Sequence, residues 1–384
     1  MRAPDVGGAD HEGGIDMTES KVFFTDMHVT PEENLLAKLD RLIRRAGIET
    51  MDLDGKFVAV KIHFGEPGNM AFLRPNWARV VCDRVKALGG RPFLTDCNTL
   101  YVGGRKNALD HIESAYVNGY APFSTGAHVI IADGLRGLDE RLVPVEGGRY
   151  VKEAKIGTAI MDADVVISLA HFKGHEQTGF GGAIKNLGMG SGSRAGKMEM
   201  HSAGKPHVET EACIGCGRCV RICAHDAPHV TKGKASIDHD KCVGCGRCIG
   251  ACPKDAVVPD FDEAFDLVCR KMAEYTKAVI HGRPNFNINM VIDVSPFCDC
   301  HAENDIPIVP DVGMFASFDP VALDKACADA VDRQPAVAGS LLDKSARTHG
   351  DHFTDVSPDT HRLSALEHAQ ELGIGSMAYE LIEI

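Results

Sequence analysis

The run Val165-Val-Ile-Ser-Leu-Ala-His171-Phe-Lys173-Gly-His175-Glu-Gln-Thr-Gly-Phe-Gly-Gly-Ala-Ile-Lys185-Asn186-Leu-Gly-Met-Gly190 changes character partway along. Residues 165–169 are apolar apart from one serine and open on three β-branched side chains. Such a run, without polar alternation, fits a strand buried on both faces, as in a parallel sheet covered by helices. Residues 171–190 are polar and then glycine-rich, the composition of a ligand loop beyond the carboxyl end of a strand. On the N-terminal side, residues 21–25, 57–62, 91–95 and 128–132 read as further strands. Helical patterns separate them: one capped by Thr30 with Pro31 in its first turn and Leu35, Leu36, Leu39, Leu42 and Ile43 at helical spacing, then 77–88 and 106–117. On the C-terminal side come a helix over 261–280, a strand over 287–294, a helix over 320–331, a breaker-rich stretch to 358 and a last amphipathic helix from about 361. Strands alternating with helices predict an α/β class, a mostly parallel sheet flanked by helices.

Between these halves lie two cysteine runs. Cys213-Ile-Gly-Cys216-Gly-Arg-Cys219-Val-Arg-Ile-Cys223 and Cys242-Val-Gly-Cys245-Gly-Arg-Cys248-Ile-Gly-Ala-Cys252-Pro253 both match C-x2-C-x2-C-x3-C. In bacterial-type ferredoxins each tight triplet holds three corners of a cubane and the fourth cysteine reaches the other cluster. That predicts one [4Fe-4S] cluster on Cys213, Cys216, Cys219 and Cys252, and a second on Cys242, Cys245, Cys248 and Cys223. Gly215, Gly217, Gly244 and Gly246 let the backbone curl around the sulfurs. Structural zinc also takes four thiolates, but its sites pair two distant C-x2-C knuckles instead of interlocking two four-cysteine runs. The organisation expected is a disordered leader over 1–20, an α/β host over 21–204 and 261–384, and an inserted α+β ferredoxin-like module over 205–260, whose flanks must lie close together on the host.

At 384 residues, with 44% apolar and 25% charged residues, the chain can bury a sizeable core. Its formal net charge of −13 and the lack of a basic stripe argue against nucleic acid. No apolar run of membrane-spanning length occurs, and residues 1–20 lack the apolar stretch of a signal peptide. Of 14 cysteines, eight carry cluster spacing, which suits the reducing cytoplasm, where thiolates stay available as ligands.

Three further groups are candidates for chemistry. His171, Lys173 and His175 alternate and would share one side of an extended chain, with Lys185 and Asn186 beyond the glycines. No P-loop results, because Asn186 stands where Ser or Thr is needed. The bland alternative is a polar surface loop. Cys298-Asp299-Cys300-His301 comes after the 287–294 strand, and Cys298, Cys300 and His301 could grip an additional metal, act as a redox pair or nucleophile, or simply fill a loop. His63 and Glu66 after one strand, Asn98, Tyr101 and Arg105 after another, and Asp311 after a later apolar run could line a ligand rim, although such residues also cap helices. Cys82, Cys269 and Cys327 lie on apolar helix faces and read as core.

The stretches Lys61-Ile-His-Phe-Gly-Glu66, Thr95-Asp-Cys-Asn-Thr-Leu-Tyr101, 171–190, Asp299-Cys-His301 and Pro307-Ile-Val-Pro-Asp311 resemble the family called domain of unknown function 362. The likeness runs from about residue 21 to the C-terminus. Members with an inserted ferredoxin module are described as iron–sulfur cluster-binding proteins, so the resemblance implies this fold and these clusters but no substrate. Cys97 stands where the resemblance leads one to expect Thr.

Two functions are compatible with these residues. In the first, an oxidoreductase passes single electrons from a ferredoxin-like donor protein through the clusters to a substrate, metal or cofactor in the host cleft. There His171 and His175 would bind or protonate the acceptor, and Lys173 and Lys185 would hold a small anionic group. In the second, the chain transfers electrons to, or matures a metallocentre in, a client protein. A cleft of small-molecule size favours the first; a broad apolar patch near the clusters favours the second. No G-x-G-x-x-G comes after a strand, so neither NAD nor FAD is expected.

Overall fold

The computed structural model describes residues 19–201, 205–261 and 263–384. The leader expected over 1–20 therefore lies almost wholly outside the described residues. Eight strands form the main sheet: β1 (Ser20–Thr25), β2 (Phe57–Lys61), β3 (Arg91–Asp96), β4 (His128–Ile131), β5 (Val165–His171), β6 (Asn285–Val291), β7 (Gly313–Ser317) and β8 (Tyr379–Glu383). Their order is β8-β1-β7-β6-β5-β2-β3-β4. All run parallel except β7, which is antiparallel to both its neighbours.

The fully buried β5 pairs with β6 on one side and β2 on the other, and this explains its uninterrupted apolar run. From β2 the chain builds outward through β3 to β4, then returns to place β5 on the opposite side of β2. The order thus reverses between β2 and β5, and that crevice is where open α/β sheets bind ligands.

Helices Pro75–Ala87, Ala108–Val117, Phe265–Ile280 and Pro320–Asp332 connect or cover the strands. Two apolar clusters fill the faces, one with Leu39, Val58, Trp77 and Phe286, the other with Val166, Leu187, Met272 and Leu323. Cys82, Cys269 and Cys327 are buried there, as their helical positions require. The first helix starts later than the sequence suggests, at Leu35. The Asn34 side chain accepts from the amides of Leu36 and Ala37 and so takes the capping role expected of Thr30. Two elements are not apparent from the sequence: β7, and the half-exposed edge strand β8, which alternates too weakly to stand out.

The cysteine-rich stretch leaves the host after helix Arg194–His201 and returns before helix Phe265–Ile280. Its ends pair antiparallel, His207 with Val258 and Val208 with Val257. Among the described residues no helix is long and apolar enough to cross a membrane.

Candidate functional site

A cavity of about 440 Å³ opens at the crevice between β2 and β5. Its floor is built from the ends of three strands. Lys61 closes β2 as a buried lysine; its Nζ lies 2.9 Å from Asp96 at the end of β3 and donates to Asn186 Oδ1 at 2.9 Å. Burial works against the Lys61 charge, and Asp96 opposes that shift. Asn186 in turn donates to the Lys61 carbonyl at 2.9 Å and to Ser168 Oγ at 2.8 Å, so one amide ties β2, β5 and the next helix together.

Helix Ala183–Ser191 carries Lys185 and Asn186 into the cavity. Its first amides, from Ala183 and Ile184, donate to the Asp324 carboxylate at 2.7 and 2.9 Å. Asp324 also accepts from Asn289 at 2.7 Å. Gly182 must be glycine for this cap, because a Cβ there would lie 2.3 Å from Asp324 Oδ1.

One wall is a knot around Arg105, which is 1% exposed. Its Nε donates to Glu66 Oε2 at 2.8 Å, one Nη to His63 Nε2 at 2.8 Å and the other to the Tyr101 hydroxyl. Burial, and then the Arg105 charge, hold His63 well below the usual imidazole range. Four of the rim residues expected from sequence are thus brought together. Two are not. Asn98 turns away to Asp133 Oδ1, at 2.8 Å from its amide nitrogen, and to the Gly134 carbonyl. Asp311 accepts from the Asp293 amide at 2.7 Å on the exposed side of its loop and does not line the cavity. Both tie separate loops together instead of facing a ligand.

The opposite wall is the hairpin Lys173–His175 with Gly179–Gly181 and the Cys298 loop. His171 Nδ1 donates to the Asp299 carboxylate at 2.9 Å and Nε2 to the Ile292 carbonyl at 2.8 Å. Both ring nitrogens are spent, so His171 positions Asp299 and has no free nitrogen to protonate an acceptor. Burial would raise the Asp299 carboxyl, but His171 and Lys173 outweigh it and keep it ionised far below the usual carboxylate range. Lys173 Nζ lies 3.4 Å from Asp299 Oδ2.

His175 Nδ1 accepts from the amides of Gln177 and Thr178 at 3.1 and 3.3 Å. Donor atoms of His175, Cys298 and Cys300 lie within 4.8 Å of one another and could hold a metal ion. The third member of this group is thus His175 and not His301, whose ring faces Glu176 at 3.3 Å and is 45% exposed. Lys185 Nζ donates to Cys298 Sγ at 3.1 Å. Burial raises the Cys298 thiol, yet the Cys300 hydrogen bond, the Lys185 and Lys173 charges and His175 together bring it well below the usual range. Cys300 moves up, first because it donates to Cys298. The two thiols are thus shifted in opposite directions, Cys298 down and Cys300 up, and Cys300 lines the cavity.

In the cysteine-rich segment, one small cavity is lined by Cys213, Cys216, Cys219 and Cys252, and another by Cys223, Cys242, Cys245 and Cys248. Each set draws its fourth thiol from the other run. Backbone amides point at the sulfurs: Ala235 to Cys213 at 3.3 Å, Gly244 to Cys242 at 3.5 Å and Ala256 to Cys252 at 3.3 Å. Gly217 and Gly246 open the short helices Arg218–Ile222 and Arg247–Ala251 at φ of 68° and 65°, the left-handed region where glycine is favoured. Leu100 and Met198 of the host pack in one apolar cluster with Cys213, Cys219 and Cys248, and Leu100 also lines the large cavity.

Sequence reasoning reaches Lys61 and Asp96 only as members of the quoted strand-end stretches, without a role, and singles out neither Lys197, which also lines the cavity, nor Asp324 beneath it. A lysine ending an otherwise apolar strand is the available signal for Lys61. Asp324 and Lys197 lie inside helices and give no local sign.

The model of the family described as Domain of unknown function (DUF362) matches residues 58–329. The thylakoid-associated protein sll1697 of Synechocystis sp. is 30% identical over 139 residues, 35% of this chain. The chain spans 36% of that relative's length. Among solved structures, a protein from Thermotoga maritima shares 13% identity at a TM-score of 0.37, covering 80% of this chain and 60% of its own. The lactate racemase apoprotein of Thermoanaerobacterium thermosaccharolyticum shares 12% at a TM-score of 0.31, covering 71% and 51%. At those scores the likeness carries no argument about chemistry.

Proposed function

This chain belongs to the DUF362 family, and from that premise we propose that it is an iron–sulfur oxidoreductase acting on a small anionic substrate. Residues 205–260 form the ferredoxin-like module, with two [4Fe-4S] clusters in the cavities of the two interlocked thiol sets. The observation that carries this reading is the crossed lining of those cavities, four cysteines each, beside a substrate-sized cavity whose lining residue Leu100 packs in one apolar cluster with Cys213, Cys219 and Cys248. Glycine turns and amides aimed at sulfur suit a group whose ligands must be ionised. When bound, the clusters supply single electrons.

The host's own residues do the rest. Lys173, Lys185 and Lys197 give the cavity a cationic lining in an otherwise acidic protein, which draws an anion inward. Lys61 and Arg105 hold the floor and wall rigid through Asp96 and Glu66. Cys300 faces the substrate, and Cys298 can take its proton and return it, since Lys185 stabilises a negative sulfur at that point. Exposed Ile214 and Val243, each beside the first cysteine of its run, offer a donor protein an apolar landing. A reducing compartment such as the cytoplasm keeps the thiols available.

The test is reoxidation. Anaerobic, dithionite-reduced protein is mixed with a panel of small carboxylates and phosphates while the cluster EPR signal is monitored. At least one anion class is expected to drain the signal, and Lys185→Met or Cys300→Ser with full iron is expected to slow it at least tenfold. Equal rates in wild type and both variants would contradict a substrate site in the cleft. Drainage only by other proteins would instead favour a non-enzymatic electron carrier.

A further inference from the structure

Two arginines rank among the largest wholly buried side chains, and they are treated differently. Arg105 is paired with Glu66. Arg194 has no carboxylate within ion-pair distance among the described residues. Its Nε donates to the Arg136 carbonyl at 3.1 Å, one Nη donates to the Lys106 carbonyl, and Nη1 has no acceptor among the described residues. Buried charge without a counter-charge is costly, so a native fold holding one implies an anion close by.

The guanidinium lies against the second cysteine loop. A Cβ at Gly250 would sit 2.9 Å from Arg194 Nε and 3.0 Å from its Cζ, and one at Gly246 would sit 3.4 Å from its Cγ. These two glycines bracket Cys248. Burial works against the Arg194 charge, and the groups that oppose it are Asp133 and Cys248. Asp133 acts only from beyond ion-pair distance, and the Asn98 backbone and side-chain amides hold its Oδ1.

We infer that Arg194 supplies the counter-charge for the cluster on Cys223, Cys242, Cys245 and Cys248, and so makes it the higher-potential cluster, the one that hands electrons to the cavity. This rests on the proposed function. A four-thiolate cubane carries net negative charge, more so when reduced, so a fixed cation beside it favours the reduced form. Among the described residues the other cluster's loop meets no wholly buried cation: Lys234 and Arg221 donate to the Cys213 and Cys216 carbonyls at 2.7 and 3.3 Å, but both are exposed and screened by solvent. Lys106 lies near Cys252, but its ion pair with Asp255 neutralises it. The placement fits the direction of flow: Arg194 opens helix Arg194–His201, and Lys197, about 4.5 Å further along the axis, already lines the cavity.

The experiment is an anaerobic potentiometric titration of the iron-loaded chain, both clusters monitored by EPR. Arg194→Gln is expected to lower the midpoint of one cluster only, leaving it at least tenfold less reduced at the wild-type midpoint, ~59 mV for a one-electron couple. Arg194→Lys is expected to keep the wild-type gap between the two midpoints. Asp255→Asn, which frees the Lys106 charge, is expected to raise the other midpoint and narrow the gap. Should Arg194→Gln lose iron, the last two variants carry the test. Unchanged midpoints in iron-replete Arg194→Gln, equal shifts in both clusters, or a gap that Asp255→Asn widens or leaves alone would overturn the inference while leaving the proposed function standing. A wild-type chain without iron would remove both.

Discussion

In the cleft, charged side chains are held by other charged side chains: Lys61 by Asp96, Arg105 by Glu66, Lys173 by Asp299, and Lys185 by the Cys298 sulfur. In the cysteine-rich segment, the sulfurs are held by the backbone, through amides from Gly244, Ala235 and Ala256 and through glycine turns. The first arrangement fixes individual groups in a low-dielectric pocket, where each pair is costly to break. The second leaves sulfurs free of competing side chains, as a multi-atom ligand requires. Substitutions should therefore fail differently in the two regions, by lost stability in the cleft and by lost cofactor in the loops.

The largest effect is expected in the loops. Cys248→Ala removes one of four thiols from one cavity, and iron should fall from about eight per chain to about four, with the fold retained. Loss of all iron would mean that the two sets are not separable. In the cleft, Glu66→Ala leaves buried Arg105 with only the more distant Asp96, at 3.7 Å, as counter-charge and should cost about 3 kcal/mol in denaturant unfolding, without touching iron content. A cost under about 1 kcal/mol would show that Asp96, His63 and Tyr101 suffice to hold the guanidinium. Gly182→Ala pushes a methyl group into Asp324 and should cost about 1–3 kcal/mol. It should also weaken anion-driven reoxidation, because Lys185 rides on the displaced helix.

The smallest expected effect is a slope with pH. Burial raises the Asp324 carboxyl to about 6, against 3.8 for the free group. The folded state therefore keeps a proton that the unfolded chain has released, over about pH 4–6. Stability from this group is full below the unfolded value and is lost as pH rises through the folded one. Asp324→Asn should flatten the fall in urea midpoint between about pH 4 and 6; an unchanged slope would mean that the carboxylate is already ionised throughout.

The two regions also differ in how much the chain alone discloses. Ligand spacing in the cysteine loops is local, so the crossed sets can be assigned before any contact is known. Strands such as β5 declare themselves by unbroken apolar runs, and strand ends point to His63, Glu66, Tyr101 and Arg105. The remaining cleft residues depend on what meets across the sheet. His301 adjoins the cysteines in sequence, but its ring turns to Glu176, while His175 comes in from another strand. Asp324 lies on a helix patterned as core, and only packing shows that its carboxylate caps the helix bearing Lys185.

The most direct test of the central claim is the metal content of the chain purified without oxygen: iron, acid-labile sulfide and zinc. About eight irons and eight sulfides per chain, with little zinc, is the predicted result. Colourless protein with zinc in place of iron would contradict it.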